Sequence, residues 1–289
     1  MNFLSIVWNV DPVIFNIGPI AIRYYSLLFI AGFPLGYWLM AKFFKREGLD
    51  TNILEPLLYA LLIGTIVGAR LGHCFFYQPD YYLTKAHWTE IFMPWRGGLA
   101  SHGGTIGVIL AIIWYAHKYG RKAGFSLLWL FDRLAIAVCF AACFIRLGNL
   151  FNSEIYGDVT DLPWGMIFVR HGETLAKHPT QIYEALSYLI LGLILLGTYR
   201  KRLDKVYRGW FLGVFFLGCF GMRFLIEFIK EPQVGFEEDM LLNMGQLLSI
   251  PFILAGIFFI VSSYVRKKPA IRVAPAKQHY CPPKKADRK

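Results

Sequence analysis

Five arginines, Arg23, Arg70, Arg133, Arg146 and Arg223, lie inside or at the ends of strongly apolar stretches of the chain. A guanidinium placed in a bilayer costs about 2.5–3.5 kcal/mol on insertion scales, so each needs a physical reason. Arg23 opens its stretch, where its stem can reach the interface. Arg133 adjoins Asp132, and neutralisation by that neighbour explains it as well as function does. Arg70, Arg146 and Arg223 are harder to dismiss. A guanidinium presents a planar fork of donors that matches phosphate oxygens and keeps its charge in a low dielectric. Three of them at one depth would hold a phospholipid headgroup. The competing reading is an Arg–Glu network that only braces helices. Glu227, four residues after Arg223 and on the same helical face, serves either account.

Other reactive side chains cluster near these arginines in sequence. His102, in Ser101-His102-Gly103-Gly104, is the one candidate proton carrier at that level. Its alternative is a plain hydrogen bond between helices. Directly after Arg146 come Gly148-Asn149-Leu150-Phe151-Asn152-Ser153-Glu154 and then Tyr156-Gly157. Asn149, Asn152 and Glu154 could bind a headgroup or a peptide backbone, or could equally be turn residues. Their position beside Arg146 favours binding. His178 precedes Pro179 and sets a loop–helix junction. The five cysteines are Cys74, Cys139, Cys143, Cys219 and Cys281. Four sit in apolar segments and none forms a CxxC pair, so neither a disulfide framework nor a zinc site is indicated. Cys139 and Cys143, four apart, read as packing.

The elements that must position these groups are membrane helices. Of the 289 residues 56% are hydrophobic and only 17% charged, against about a quarter charged in a soluble domain. About 20 apolar residues cross a bilayer, and the sequence predicts seven such spans, at roughly 21–41, 56–77, 98–116, 124–145, 181–199, 209–229 and 246–265. One set of connecting loops, with the tail from Arg266, carries 20 Lys and Arg, and the opposite set carries 5. That asymmetry places the N-terminus outside and the C-terminus in the cytoplasm. It also accounts for the net charge of +11 without a nucleic-acid partner. Spans two, four and six then run outward, so Arg70, Arg146 and Arg223 reach the outer half of the membrane. Spans one, three and five run inward and start with Tyr24 and Tyr25, with His102, and with Glu184. Six of the seven spans thus bring a polar group to the outer leaflet.

The expected fold is an all-α integral membrane protein with seven transmembrane helices. Residues 1–265 form its polytopic catalytic domain, including a long outer loop at 147–178. Residues 266–289, with Lys284 and Lys285 among their charges, form a basic, disordered cytoplasmic tail near anionic lipid. Glu237-Glu238-Asp239 reads as a solvated face. The first basic residue is Arg23, so no cleavable signal peptide is expected. A transporter would show an internal repeat with paired broken helices, and the sequence shows none.

The segment from Arg146-Leu147-Gly148-Asn149 through Asn152-Ser153-Glu154-Ile155-Tyr156-Gly157 resembles the signature of the bacterial prolipoprotein diacylglyceryl transferases. So do Asp11-Pro12-Val13-Ile14-Phe15 through Gly18-Pro19 and Tyr25, the Ser101-His102-Gly103-Gly104 turn, His178-Pro179-Thr180-Gln181 through Tyr183-Glu184, and Arg223 with Glu227. The blocks occur in the family's order and cover nearly the whole chain. The resemblance implies transfer of the diacylglyceryl group of phosphatidylglycerol to the lipobox cysteine of a prolipoprotein signal peptide, releasing glycerol phosphate. It implies a site facing the outer leaflet of the bacterial inner membrane, with no cofactor and no metal. Carried over by motif, His102, Arg146 and Arg223 are the catalytic residues. Tyr25, Asn149, Glu154, Gly157 and Glu184 complete the site, joined by Arg70, Asn152 and Glu227 as substrate-binding groups. Three positions depart from the family pattern: Ile145 and Ser153 stand where glycine is expected, and Cys219 stands where tyrosine is often seen.

Overall fold

The computed structural model describes residues 5–18, 20–84, 87–232 and 241–271. The acidic run Glu237-Glu238-Asp239, Lys284 and Lys285 of the tail, and Cys281 lie outside the described residues. The chain is an all-α membrane protein in its main architecture. Its long helices are α1 (Tyr24–Arg46), α2 (Leu54–Gly72), α3 (Ser101–Tyr115), α4 (Leu127–Phe151), α5 (Thr180–Arg202), α6 (Trp210–Ile226) and α7 (Met244–Arg266). Among the described residues, six helices are long and apolar enough to cross a membrane, and α3 is not one of them. Its 15 residues run on, however, through a π-helical turn at Ala116–Gly120 and a further turn at Arg121–Ala123. Gly124, with φ 75°, then ends the helix in the left-handed region that glycine adopts without strain.

Two small sheets were not expected. Strand β1 (Ile6–Trp8) pairs in parallel with β4 (Met166–Phe168), and β2 (Val13–Ile17) pairs antiparallel with β3 (Ile20–Arg23). Contacts divide the chain into two compact units, Met1–Met40 with Phe131–Ile271, and a second built on Ala41–Leu130.

In the first unit, α6 and α7 cross at Gly213 and Gly256, where a Cβ on either would meet the other's carbonyl at 2.9 Å. Asn243 and Gln246 form a reciprocal capping box that starts α7. The fully buried Asp132 accepts from the backbone N–H of Gly209 at 2.7 Å and of Leu212 at 3.0 Å. Its carboxylate thereby satisfies the open N–H groups that begin α6. Arg133 donates to the Ala270 carbonyl at 2.8 Å and lies 5.8 Å from the Tyr199 ring. Both residues of this adjoining pair thus anchor the protein's own backbone.

In the second unit, Gly64, Gly68 and Gly72 of α2 face Gly103 and Gly107 of α3. A Cβ at Gly68 would fall on the Gly103 carbonyl, and one at Gly107 on the Gly64 carbonyl. Small residues four apart on each helix let the backbones touch, the usual way membrane helices gain packing energy without a hydrophobic drive. At the far end Trp129 donates to Glu47 at 2.8 Å, and Tyr115 donates to the Ile53 carbonyl at 2.7 Å.

Candidate active site

Helix α4 does not stop at residue 145 but continues to Phe151, which puts Arg146 and Asn149 on its last turns. The continuation depends on Gly148, where a Cβ would strike the Tyr25 ring at 2.7 Å. Tyr24 stacks on Phe151 at 4.3 Å, and Trp8 donates to the Leu150 carbonyl at 3.1 Å. Beyond the helix, the chain turns sharply at Ser153 and Ile155, with φ 55° and 62°. Such a conformation is uncommon for any non-glycine residue and a true outlier for a β-branched one, and strain of this kind clusters at functional sites. It is stabilised from α5, where Thr180 donates to the Ile155 carbonyl at 2.8 Å and Gln181 to the Glu154 carbonyl at 2.7 Å.

Between these two strained residues sits Glu154. Its Oε1 accepts from Asn149 Nδ2 at 2.8 Å and from Asn152 Nδ2 at 3.1 Å. Asn149 Oδ1 in turn accepts from Arg146 Nη1 at 3.2 Å. The polar residues after Arg146 therefore orient one another and the arginine, which is more than turn formation requires.

Arg146 also opens a chain of ion pairs. Its Nε lies 2.8 Å from Glu184 Oε2, and Glu184 is wholly buried. Lys230 Nζ lies 3.7 Å from the other Glu184 oxygen and 3.3 Å from Glu227 Oε2. Glu227 Oε2 is 4.0 Å from Arg223 Nε. The Arg223 side chain is 32% exposed against 13% for Arg146, so the two ends differ in openness. Glu227 is pressed against Gly245, where any Cβ would overlap its carboxylate. Sequence reasoning counted Lys230 only as one cation of an outer loop. The signal that could have found it is its spacing, three residues after Glu227. Burial pulls the Lys230 ammonium below its ordinary value, against the opposing pull of Glu184 and Glu227.

Tyr188, one turn after Glu184 on α5, was also missed. Its phenol lies against both the Arg146 guanidinium and the Cys219 thiol. A phenol is thus present beside Cys219, supplied by a neighbouring helix.

Gly157 closes the site from the loop side. Its N–H donates to the His178 carbonyl at 2.9 Å, and its backbone bridges that of Lys230. A Cβ there would overlap the Ile229 carbonyl and crowd Thr180 and His178, so only glycine fits. Further out, Lys177 pairs with Glu173 at 3.5 Å and with Glu231, and Tyr156 donates to Glu173 at 2.8 Å.

Residues 12–262 match the family model described as prolipoprotein diacylglyceryl transferase. The chain belongs to that family. It is similar to the phosphatidylglycerol–prolipoprotein diacylglyceryl transferase of Tolumonas auensis, 46% identical over 260 residues that make up 90% of this chain and 98% of the relative. The namesake from Porphyromonas gingivalis is 48% identical over 270 residues, 89% of this chain and 94% of the relative. That of Bacteroides fragilis is 43% identical over 277 residues, 92% and 97% respectively.

Of the candidate site residues, Tyr25, Arg146, Asn149, Asn152, Glu154, Gly157, Glu184, Arg223 and Glu227 all belong to the first unit. Arg70 and His102 belong to the second. His102 is exposed on the first turn of α3. Arg70 is buried and donates to the carbonyls of Ile91 at 3.2 Å, Gly97 at 2.6 Å and Gly98 at 3.3 Å, and to that of Glu90. The Tyr82 ring lies 4.8 Å from its guanidinium carbon. With its donors on backbone carbonyls, Arg70 fixes the segment that leads to the Ala100 N–H, itself bonded to the Ala69 carbonyl at 2.9 Å, and on to His102.

Proposed function

We propose that the chain transfers the diacylglyceryl group of phosphatidylglycerol to the thiol of the lipobox cysteine of prolipoproteins, releasing glycerol phosphate. One observation carries this reading beyond the family: Arg146 and Arg223 stand at the two ends of one buried ion-pair chain, the more exposed end being Arg223. Two guanidiniums held apart by fixed carboxylates form a receptor for a phosphate group.

The nucleophile belongs to the substrate. A free thiol has a pKa of about 8.5 and attacks as thiolate. The sulfur bonds to the glycerol carbon that carries the phosphate oxygen, and that carbon–oxygen bond breaks. The electron pair leaves with glycerol phosphate, where Arg146 and Arg223 stabilise the developing charge. His102 accepts the thiol proton. Tyr25, Asn149, Asn152, Glu154 and Gly157 shape the headgroup site, and Glu184 and Glu227 hold the arginines. Arg70 contributes through the loop it fixes.

We also propose seven spans, with the helix that begins as α3 as the third. The N-terminus then lies outside and the catalytic site at the outer leaflet of the bacterial inner membrane. The excess of Lys and Arg in one set of loops supports that orientation.

The test is mass spectrometry of a lipobox peptide incubated with the detergent-purified protein and phosphatidylglycerol. A diacylglyceryl adduct on cysteine is expected, absent with phosphatidylethanolamine or with a Cys→Ser peptide. Folded protein that forms no adduct, or that uses phosphatidylethanolamine equally, overturns the reading.

A further inference from the structure

We propose that Lys230 is a positioning residue of this site, setting the charge and spacing of the two arginines that receive the phosphate; the inference rests on the transfer reading above. Arg146 and Arg223 come from different helices, α4 and α6, and each presents its Nε to one carboxylate. Without a further cation, two arginines would face two carboxylates and little attraction would remain for an anionic headgroup. Lys230 changes that balance. Its ammonium stands between the carboxylates, completing an alternating row Arg146, Glu184, Lys230, Glu227, Arg223. The row carries one net positive charge, and Glu154, reached from Arg146 through Asn149, brings the balance around the site to zero, so without Lys230 the site would repel an anionic headgroup.

The same placement fixes distances. Glu184 has one oxygen 2.8 Å from Arg146 and the other 3.7 Å from Lys230, so its carboxylate lies between two cations and the lysine shares the charge that would otherwise face Arg146 alone. An ammonium has three donors and can point at two carboxylates at once. The Lys230 side chain is 1% exposed, so solvent does not substitute for it. Its backbone is fixed on both sides: Asp158 N–H donates to the Ile229 carbonyl at 3.0 Å, and Glu231 N–H to the Tyr156 carbonyl at 3.4 Å. The glycine requirement at Gly157 follows from the same strap, since that residue bridges to Lys230.

The experiment compares wild type, Lys230→Met, Lys230→Arg and the double variant Glu227→Gln/Lys230→Met, each purified in detergent. Transfer to a lipobox peptide is followed as a function of phosphatidylglycerol concentration, with free glycerol phosphate as competitor. Lys230→Met is expected to raise KM for phosphatidylglycerol and to weaken inhibition by glycerol phosphate, each by about tenfold or more, with a smaller effect on kcat. Lys230→Arg recovers most of the loss because the charge returns. The double variant restores the net charge of the row, so it binds the lipid more tightly than Lys230→Met alone. A folded Lys230→Met protein with unchanged KM and inhibition overturns the proposal. If Lys230→Met fails to fold, Lys230→Gln decides: a folded Lys230→Gln protein must show the same rise in KM and the same weakened inhibition, and unchanged values overturn the charge argument. A wild-type protein that forms no adduct overturns the transfer reading instead, which keeps the two failures distinct.

Discussion

Arg146 Nε and Glu184 Oε2 meet at 2.8 Å, joining the last turns of α4 to the first turns of α5. Removing one partner of a buried pair leaves the other charge uncompensated, which typically costs about 3–5 kcal/mol. Glu184→Gln should therefore lower the thermal midpoint of the detergent-solubilised protein by many degrees. Unchanged unfolding would show that the pair is not a structural requirement.

Arg146→Ala removes the anchor of that row and, on the proposed mechanism, a donor to the leaving group. Loss of one preorganised donor of this kind costs about 10²–10³ in kcat. Arg146→Lys should recover part of the rate, since a point charge replaces a fork. Phosphatidylglycerol-dependent transfer by Arg146→Ala at near wild-type rate would remove the leaving-group role.

His102→Gln tests the proton step. A positioned base contributes about 10²–10⁴ in rate, so the variant should lose at least the lower figure and recover some of it at alkaline pH, where the thiol ionises unaided. Near-normal turnover at pH 7 would finish the general-base assignment.

Ser153 stands at φ 55°, in the left-handed region that glycine adopts without strain. Ser153→Gly should stabilise the protein by about 1 kcal/mol, because the left-handed conformation costs an L-residue roughly that much. Ser153→Val should do the reverse. Thermal unfolding of the two variants side by side measures it.

Lys177 carries a pH signature. Burial pulls its ammonium down, but Glu231 and Glu173 more than offset this and leave it above its ordinary value. A raised lysine contributes stability that is whole below the ordinary value of about 10.4 and is lost as pH climbs through the folded value. Burial and Glu173 also push the Tyr156 phenol upward, so it stays protonated across that range. The protection of amides in residues 147–178, exchange measured relative to the unfolded rate at the same pH, should therefore fall only at strongly alkaline pH, and Lys177→Met should abolish the step.

Much of the site was legible because ions in apolar sequence are expensive. Arg146, Glu184, Arg223 and Glu227 announce themselves by where they stand, and the helices that carry them follow from apolar length. What stayed hidden is tertiary. The apolar span reads as ending near residue 145, yet Gly148 serves close approach of Tyr25, and α4 runs on past Arg146. Lys230 looks like any loop cation until Glu184, 46 residues earlier, is seen beside it. Arg70 has the type and depth of a phosphate ligand, and only the fold reveals the carbonyls it serves. Strands β1 and β4 are three residues each and far apart in sequence, too short for a periodic signal.

The touching backbones of α2 and α3 have a mechanical consequence. Side chains normally act as compliant spacers between helices, and here, from Gly64 to Gly107, that layer is missing. Sliding one helix past the other would drive backbone into backbone at these glycines, which couples their movements. Arg70 is carried on one and His102 on the other, so the two belong to one packed body. A movement that brings the histidine toward a thiol must carry the carbonyl-bound loop of Arg70 with it.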